Sequence, residues 1–177
     1  AAVRDGNIAA VVSQVPNLDG RATAHAISIP HIFRLTYASL RDKCQTALSG
    51  RPFYVPSFGK PGELAAMTAP GTVEAFRKID PIDYDFRHDY VAGRVFLQVL
   101  SYSPGHLAGQ MSMPWLVQIA QFDQTTPISP AIKAAMQAPK SRLIMYKCGH
   151  FEMYIPPFFD QVIQDQLLFL KAACPIG

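Results

Sequence analysis

Two side chains of this 177-residue chain are of the types that form a hydrogen-bonded acid and base. Asp123 stands in the segment AQFDQTTP, and His150 stands in the segment YKCGHFEMY. A carboxylate that accepts from one ring nitrogen of a histidine fixes the tautomer of the ring, and the other nitrogen can then take a proton from a nucleophile. The alternative is that Asp123 is a loop or capping residue and that His150 is a surface histidine. The elements that position the two side chains decide between these interpretations.

Three segments have the apolar patterns of buried strands, namely residues 8–15, 115–121 and 142–147. The first of them, from Ile8 to Val15, is an almost unbroken apolar run rich in β-branched residues. Such a run is typical of a central parallel strand that is covered on both faces. The sequence therefore predicts a parallel sheet.

A helix is predicted between the second and the third strand. The segment SPAIKAAMQAP has Ser129 as the expected N-cap and Pro130 at the first helical position. Strand, helix and strand within about thirty residues form a βαβ crossover, which makes the two strands parallel. A second helix is predicted for residues 157–173, whose apolar residues recur at helical spacing and would pack on the sheet. The predicted fold class is α/β, with parallel strands and helices on both faces.

This arrangement places the acid and the base at the same edge of the sheet. Asp123 follows the strand 115–121 and His150 follows the strand 142–147, so each lies in a loop at the carboxyl end of a parallel strand. Neighbouring strands are about 4.8 Å apart, and ligands bind at this edge of open α/β sheets. We therefore favour the catalytic pair. We also expect Gly149 to allow a tight turn and a close approach next to His150.

Residues 19–108 differ in character and are predicted to form a helical insertion, so that residues 1–18 and 109–177 form the core. The predicted elements of the insertion are two helices and a loop-like run, at residues 32–48, 87–101 and 50–70 respectively. The insertion is rich in aromatic residues, which either line a ligand pocket or attach it to the core. Packing is the favoured role for each aromatic residue alone. As a group they favour an apolar substrate over a highly charged one.

Charge and composition exclude several classes of protein. The net charge is +3, from 16 basic and 13 acidic residues without a run of like charges, so no nucleic-acid partner is expected. No apolar stretch approaches the ~20 residues of a membrane span, and no membrane partner is expected. Three distant cysteines, Cys44, Cys148 and Cys174, indicate neither a disulfide framework nor a zinc site. We expect a cytoplasmic protein with no metal and no cofactor.

The order of these elements resembles the C-terminal half of an α/β-hydrolase. In that superfamily the acid follows the seventh strand, the histidine follows the eighth, and a lid is inserted after the sixth. The resemblance covers essentially the whole chain and implies that Asp123 is the acid of a catalytic triad and His150 its base. It also implies that residues 19–108 are a helical lid. Within the superfamily the chain is most similar to lidded hydrolases of the acyl-peptidase-like and polyketide-processing kinds.

The chain departs from that family because it has no nucleophile elbow of the form G-x-S-x-G. The serines considered are Ser13, Ser57, Ser103 and Ser129, and none stands between the required glycines. The resemblance implies that the nucleophile and the oxyanion hole lie upstream of Ala1 and that the chain alone is inactive. Cys148 is interpreted as structural, and Asp19 ranks below Asp123 as the acid. The insertion's histidines, expected to be surface or lid residues, are His25, His31, His88 and His106.

The resemblance leaves the strand from Ile8 to Val15 without a neighbour on one side. An unpaired apolar edge is a site for pairing with another chain. We therefore expect either a second polypeptide carrying the N-terminal half of the hydrolase or a homo-oligomer joined through this edge. Two functions remain open. The chain is the C-terminal part of a serine hydrolase that cleaves an ester, thioester or amide of a small apolar acyl-type substrate, or it is a non-catalytic remnant acting as a binding or assembly module.

Overall fold

The computed structural model describes residues 2–79 and 89–175. The described residues divide into two compact units. The first unit consists of the chain up to Asp19 and from Ser103 onward, and the second unit is Gly20–Tyr102. The predicted insertion, 19–108, extends six residues further than the second unit does at its carboxyl end. Those residues join the first unit because the 3-10 helix Pro104–Gln110 packs on the helix that crosses between its last two strands.

The described elements follow the chain in this order. The strands are β1 (Val11–Gln14), β2 (Tyr54–Pro56), β3 (Tyr90–Ala92), β4 (Trp115–Ala120) and β5 (Ser141–Tyr146). The α-helices are α1 (Gly20–Ala26), α2 (Ile29–Ser49), α3 (Thr72–Ile79), α4 (Phe96–Val99), α5 (Ile128–Gln137) and α6 (Phe158–Ala173). In this part of the chain no helix has both the length and the apolar character needed to cross a membrane.

The sheet of the first unit is parallel, with the strand order β1-β4-β5. The predictions for β4 and β5 are confirmed to within one residue. The predicted strand 8–15 is wrong in extent and in burial. Of these residues only the four of β1 form a strand paired with β4, and all four are half-buried. Central position and burial on both faces belong to β4, in which all six residues are buried. The strand pattern ends at Val15, whose φ of 37° turns the backbone into the left-handed region, where β-branched residues are rare.

Helices cover both faces of this sheet, as predicted. Trp115, Val117 and Ile119 share one cluster with alanines of α5, whereas Ala120 packs on the other face with Val162 of α6. Helix α6 is confirmed, with its start one residue later than predicted. The expected cap of α5 was wrong. The helix begins at Ile128 after an extended Pro127, so Ser129 and Pro130 lie inside its first turn, and the described cap makes no side-chain hydrogen bond.

A polar network crosses the apolar interface between the sheet and α6. The fully buried Gln118 of β4 donates through Nε2 to the Tyr146 hydroxyl at 2.7 Å and to the Val162 carbonyl at 3.1 Å. Tyr146 in turn donates to Asp165 at 2.8 Å, and Gln166 donates to Oε1 of Gln118 at 2.8 Å. Burial, followed by the bond to Asp165, raises the pKa of Tyr146, so the hydroxyl stays protonated and available as a donor. These bonds fix how α6 sits on the sheet.

Replacing Tyr146 with Phe removes the hydroxyl and leaves one hydrogen of Gln118 without its partner. We expect the free energy of unfolding to fall by about 1–3 kcal/mol, the usual cost of a buried polar group that loses its partner. Urea unfolding followed by circular dichroism measures this change. Tyr37→Phe removes an exposed hydroxyl and serves as the control. Equal stability of the two variants would contradict the structural role of the network.

The second unit is organised around α2, which confirms the helix predicted at 32–48. The helix extends from Ile29 to Ser49 and ends at Gly50, whose φ of 69° supplies the left-handed C-cap. The helix predicted at 87–101 is wrong over its described part. There the chain forms β3, a 3-10 turn at Gly93–Val95 and the short α4, while residues 87 and 88 lie outside the described ranges. The loop-like run 50–70 contains β2, which pairs antiparallel with β3.

Asp42 is the buried charge that joins these elements. Its carboxylate accepts backbone N–H groups from Phe53 at 2.7 Å and from Arg94 at 2.8 Å. The Arg94 guanidinium adds a two-pronged contact, with Nε at 2.7 Å from Oδ2 and Nη2 at 2.9 Å from Oδ1. This contact holds the pKa of Asp42 well below its usual range. Gly93 is required beside it, because a Cβ there would lie 2.5 Å from the carbonyl oxygen of Ala38.

Replacing Asp42 with Asn should destabilise this unit and speed amide exchange at Phe53 and Arg94, the two backbone donors. The pH dependence follows from the lowered pKa. The stabilisation by the carboxylate is complete above its ordinary pKa of 3.8 and is lost as the pH falls below that value. Hydrogen exchange at several acidic pH values measures both effects. Glu74→Gln, at an exposed carboxylate, is the matched control, and equal exchange in both variants would contradict the assignment.

Candidate active site

Asp123 lies in the turn that follows β4, and backbone hydrogen bonds join this turn to β4 and to the loop after β5. Its N–H donates to the Ala120 carbonyl at 3.2 Å, and the preceding Phe122 N–H donates to the Cys148 carbonyl at 3.0 Å. Oδ1 accepts the N–H groups of Thr125 and Thr126, both at 2.8 Å. These two bonds orient the carboxylate and leave Oδ2 for another donor.

His150 begins a 3-10 helix, His150–Tyr154, which follows β5 after a two-residue bend and Gly149. Phe151 and Met153 of this helix are buried. The expectation that Gly149 allows a tight turn is wrong, since its φ of −83° and ψ of 171° are open to any residue. The space does not require glycine either, because a Cβ at this position would lie 3.4 Å from Oε2 of Glu152, an ordinary van der Waals contact.

The two loops bring the predicted acid and base together. Nδ1 of His150 lies 2.7 Å from Oδ2 of Asp123, and the side chains are 15% and 1% exposed respectively. The Phe151 ring adds an edge contact to the imidazole, with centroids 4.7 Å apart. Because the acceptor is a carboxylate already anchored by two amides, the bond favours the tautomer in which Nδ1 carries the proton. Nε2 is then the basic nitrogen, and it has no hydrogen-bond partner among the described residues.

The serines considered as nucleophiles have other roles or positions. Ser13 lies in β1 and accepts from Nε1 of Trp115 at 3.0 Å. Ser103 donates to Oδ1 of Asp19 at 3.1 Å, which also shows where the lower-ranked acid lies. Within the described part of the first unit, the structure brings Asp123 and His150 together, while the printed bonds of Ser13 and Ser103 go to Trp115 and Asp19.

A small cleft lies beside the acid. It is lined by Val15, Pro16, Ile119, Asp123, Thr126, Pro127, Ile128 and Ala131. Most of these side chains are apolar, so the cleft offers little to a charged ligand. Sequence patterns alone could not predict its position at the carboxyl ends of β1 and β4, because that position depends on the pairing register of both strands.

The sequence is similar to one curated protein along almost the whole of this chain. The quorum-quenching protein AidA of Acinetobacter baumannii (strain MDR-ZJ06) is 30% identical over 175 residues, which are 99% of this chain and 57% of AidA. The chain thus spans little more than half the length of the relative that it matches. No protein-family model matches the sequence.

Solved structures give the same architecture at lower identity. DcsB in complex with its substrate analogue superposes with a TM-score of 0.72 and 19% identity, over 98% of this chain and 59% of DcsB. The monoacylglycerol lipase of Paleococcus ferrophilus gives 0.65 and 14%, over 97% and 62%. The enol-lactonase of Burkholderia xenovorans LB400 gives 0.54 and 14%, over 96% and 59%.

The chain has the α/β-hydrolase fold. Cys148 lies in the loop between β5 and His150, with 1% of its surface exposed. Burial, followed by the charges of Glu152 and Asp123, raises the pKa of its thiol to about 11. A thiol with that pKa is almost entirely protonated at neutral pH and is a poor nucleophile. The structural interpretation of Cys148 therefore agrees with its surroundings.

The thiol chemistry of the chain is directly testable. We expect iodoacetamide at pH 8 to label Cys44, which is exposed, and to leave Cys148 unmodified until the protein is unfolded. Mass spectrometry of the peptides after native and denatured labelling measures the difference. Labelling of native Cys148 at the rate of Cys44 would show that the thiol is accessible and ionised, contrary to its burial.

Among the described histidines of the predicted insertion, His25 and His106 are at the surface, as expected, and His31 is buried. His31 is only 4% exposed, and burial, followed by the charge of Arg34, lowers its pKa. His25 and His106 are exposed and bond to backbone carbonyls of their own segments, while His88 lies outside the described residues. Over the described ranges, no group of three or more His, Cys, Asp or Glu side chains is arranged to hold a metal ion.

Proposed function

We propose that this chain supplies the acid and the base of a serine-type hydrolase that cleaves a carboxylic ester. The bond of 2.7 Å between Nδ1 of His150 and Oδ2 of Asp123 carries the proposal. The fold adds support, since the bond lies at the carboxyl edge of a parallel sheet, where α/β sheets bind ligands. The names of the solved neighbours, which include a lipase and an enol-lactonase, favour an ester over an amide or a thioester.

The roles of the pair follow from its geometry. Nε2 of His150 takes the proton from a serine hydroxyl as that oxygen attacks the substrate carbonyl, and returns it to the leaving group. The transient imidazolium is stabilised by Asp123, whose carboxylate is almost completely buried. Its anchoring by Thr125 and Thr126 keeps the charge in place while the ring changes protonation state. In this proposal the serine nucleophile and the oxyanion hole belong to a part of the polypeptide outside the described residues.

An apolar acyl group is the proposed substrate chemistry. The cleft beside Asp123 is lined mainly by apolar side chains, and aromatic side chains of the second unit are exposed, among them Phe33, Tyr37 and Tyr54. The quorum-quenching function in the name of AidA is compatible with the destruction of a small ester-containing signal. We propose that class of substrate for the complete protein, in which residues 19–108 act as a lid.

The polypeptide with the nucleophile is proposed to pair with β1. Among the described residues β1 pairs with β4 alone, so its other edge presents backbone N–H and C=O groups of the strand. Such an edge is a template for another strand. A second copy of this chain is the alternative occupant.

The test compares this chain with the complete protein of its gene in hydrolysis of p-nitrophenyl butyrate. We expect activity only in the complete protein. There Asp123→Asn should lower kcat by about 10⁴-fold and His150→Ala by about 10⁶-fold.

His25→Ala is the matched control, because that histidine is exposed and bonds only within its own helical turn. Full activity of the His150→Ala variant would end the hydrolase proposal. Absence of activity in the complete protein towards any ester would favour the non-catalytic remnant, a binding or assembly module. Hydrolysis by this chain alone would show that the nucleophile lies within it.

A further inference from the structure

The segment that carries His150 is closed by a reciprocal pair of hydrogen bonds. The Gly149 N–H donates to Oε2 of Glu152 at 2.6 Å, and the Glu152 N–H donates to the Gly149 carbonyl at 3.2 Å. The ring formed by these bonds encloses His150 and Phe151. A bond from an amide to an ionised carboxylate is shorter and stronger than one between neutral groups, and the observed length is of that kind.

The neighbours of Glu152 explain why its side chain is free for this contact. Phe151 and Met153 point into the protein, with 8% and 0% exposure. Met153 packs in the cluster that contains Tyr146 and Cys148. Glu152 lies between two buried anchors, so its own side chain is exposed and reaches back along the turn.

The contact does not require glycine at position 149. Its backbone angles are open to any residue, and a Cβ there would meet Oε2 of Glu152 at 3.4 Å and Cδ at 3.9 Å, which are ordinary van der Waals distances. The bond from the Gly149 amide to the carboxylate therefore depends on Glu152 and not on the glycine. The spacing G-H-F-E contains the same relation, since an acidic residue three positions after a helix N-cap returns to the N-cap amide.

We propose that Glu152 is a positioning residue that holds the His150 turn so that Nδ1 stays on Asp123. The acid is already fixed by two backbone amides, from Thr125 and Thr126. Glu152 gives the base a corresponding anchor, and each partner of the pair is then held by a bond between a carboxylate and a backbone amide. Glu152 touches no reacting atom in this scheme. Its meaning for catalysis rests on the proposed function, whereas its effect on the turn does not.

The structural part of the proposal is tested by hydrogen exchange in solution. In Glu152→Ala the Gly149 amide should exchange roughly tenfold to hundredfold faster, the effect of losing a bond to a charged acceptor. The Nδ1 proton of His150 should also exchange faster with water. Glu152→Gln keeps an acceptor oxygen but loses the charge, so its exchange rate should lie between those of the wild type and Glu152→Ala. Asp160→Asn removes a charge from the exposed start of α6 and should change neither rate.

The catalytic part is tested in the complete, active protein. Glu152→Ala should lower kcat at unchanged KM, and Glu152→Gln should restore it. Unchanged exchange at Gly149 in Glu152→Ala, or equal losses of kcat in the Ala and Gln variants, would overturn the positioning role. If exchange changes as expected while His150→Ala keeps its activity, the anchor stands and the hydrolase proposal fails, so the two failures are distinguishable.

Discussion

The bond between Asp123 and His150 requires the loops after β4 and β5 to be placed accurately at the carboxyl edge of the sheet. A distance of 2.7 Å between a carboxylate oxygen and an imidazole nitrogen allows little error in either loop. The register of the two strands meets this demand, because Ala120 of β4 pairs with Tyr146 of β5 and both strands end at the same level. The Phe122 N–H then reaches the Cys148 carbonyl. The loops are thus joined by backbone before the side chains meet.

Hydrogen bonds fix the positions of elements that apolar packing alone would allow to shift. The alanines of α5 and the side chains of β4 fill one face of the sheet, but such packing tolerates small shifts. On the other face, Gln118 and Tyr146 fix α6 through directional bonds. Directional bonds also fix Asp123 and the His150 turn. The structure therefore uses hydrogen bonds to define position at the points nearest the proposed chemistry.

The sequence predicted the elements whose signals are local and regular. The strands β4 and β5 and the helices α2 and α6 have clear apolar periods, and the two motifs located the bonded pair of Asp123 and His150. The sequence could not show that Asp42 binds Arg94, because these residues are 52 positions apart and meet only through the fold. The helix expected at 87–101 was wrong in its described part because β3 gains hydrogen bonds from β2, which a local pattern does not contain. Glu152 was missed although its spacing is a known capping signal.

The central claim is that Asp123 sets the tautomer of His150, and nitrogen-15 spectroscopy of the His150 ring at pH 8 tests it most directly. We predict a proton on Nδ1, with a resonance moved downfield by its bond to the carboxylate, and an unprotonated Nε2. Replacement of Asp123 by Asn should abolish that signature without unfolding the sheet, since an amide oxygen can still accept from Thr125 and Thr126. A wild-type ring with its proton on Nε2, or one that exchanges freely between both tautomers, would contradict the account.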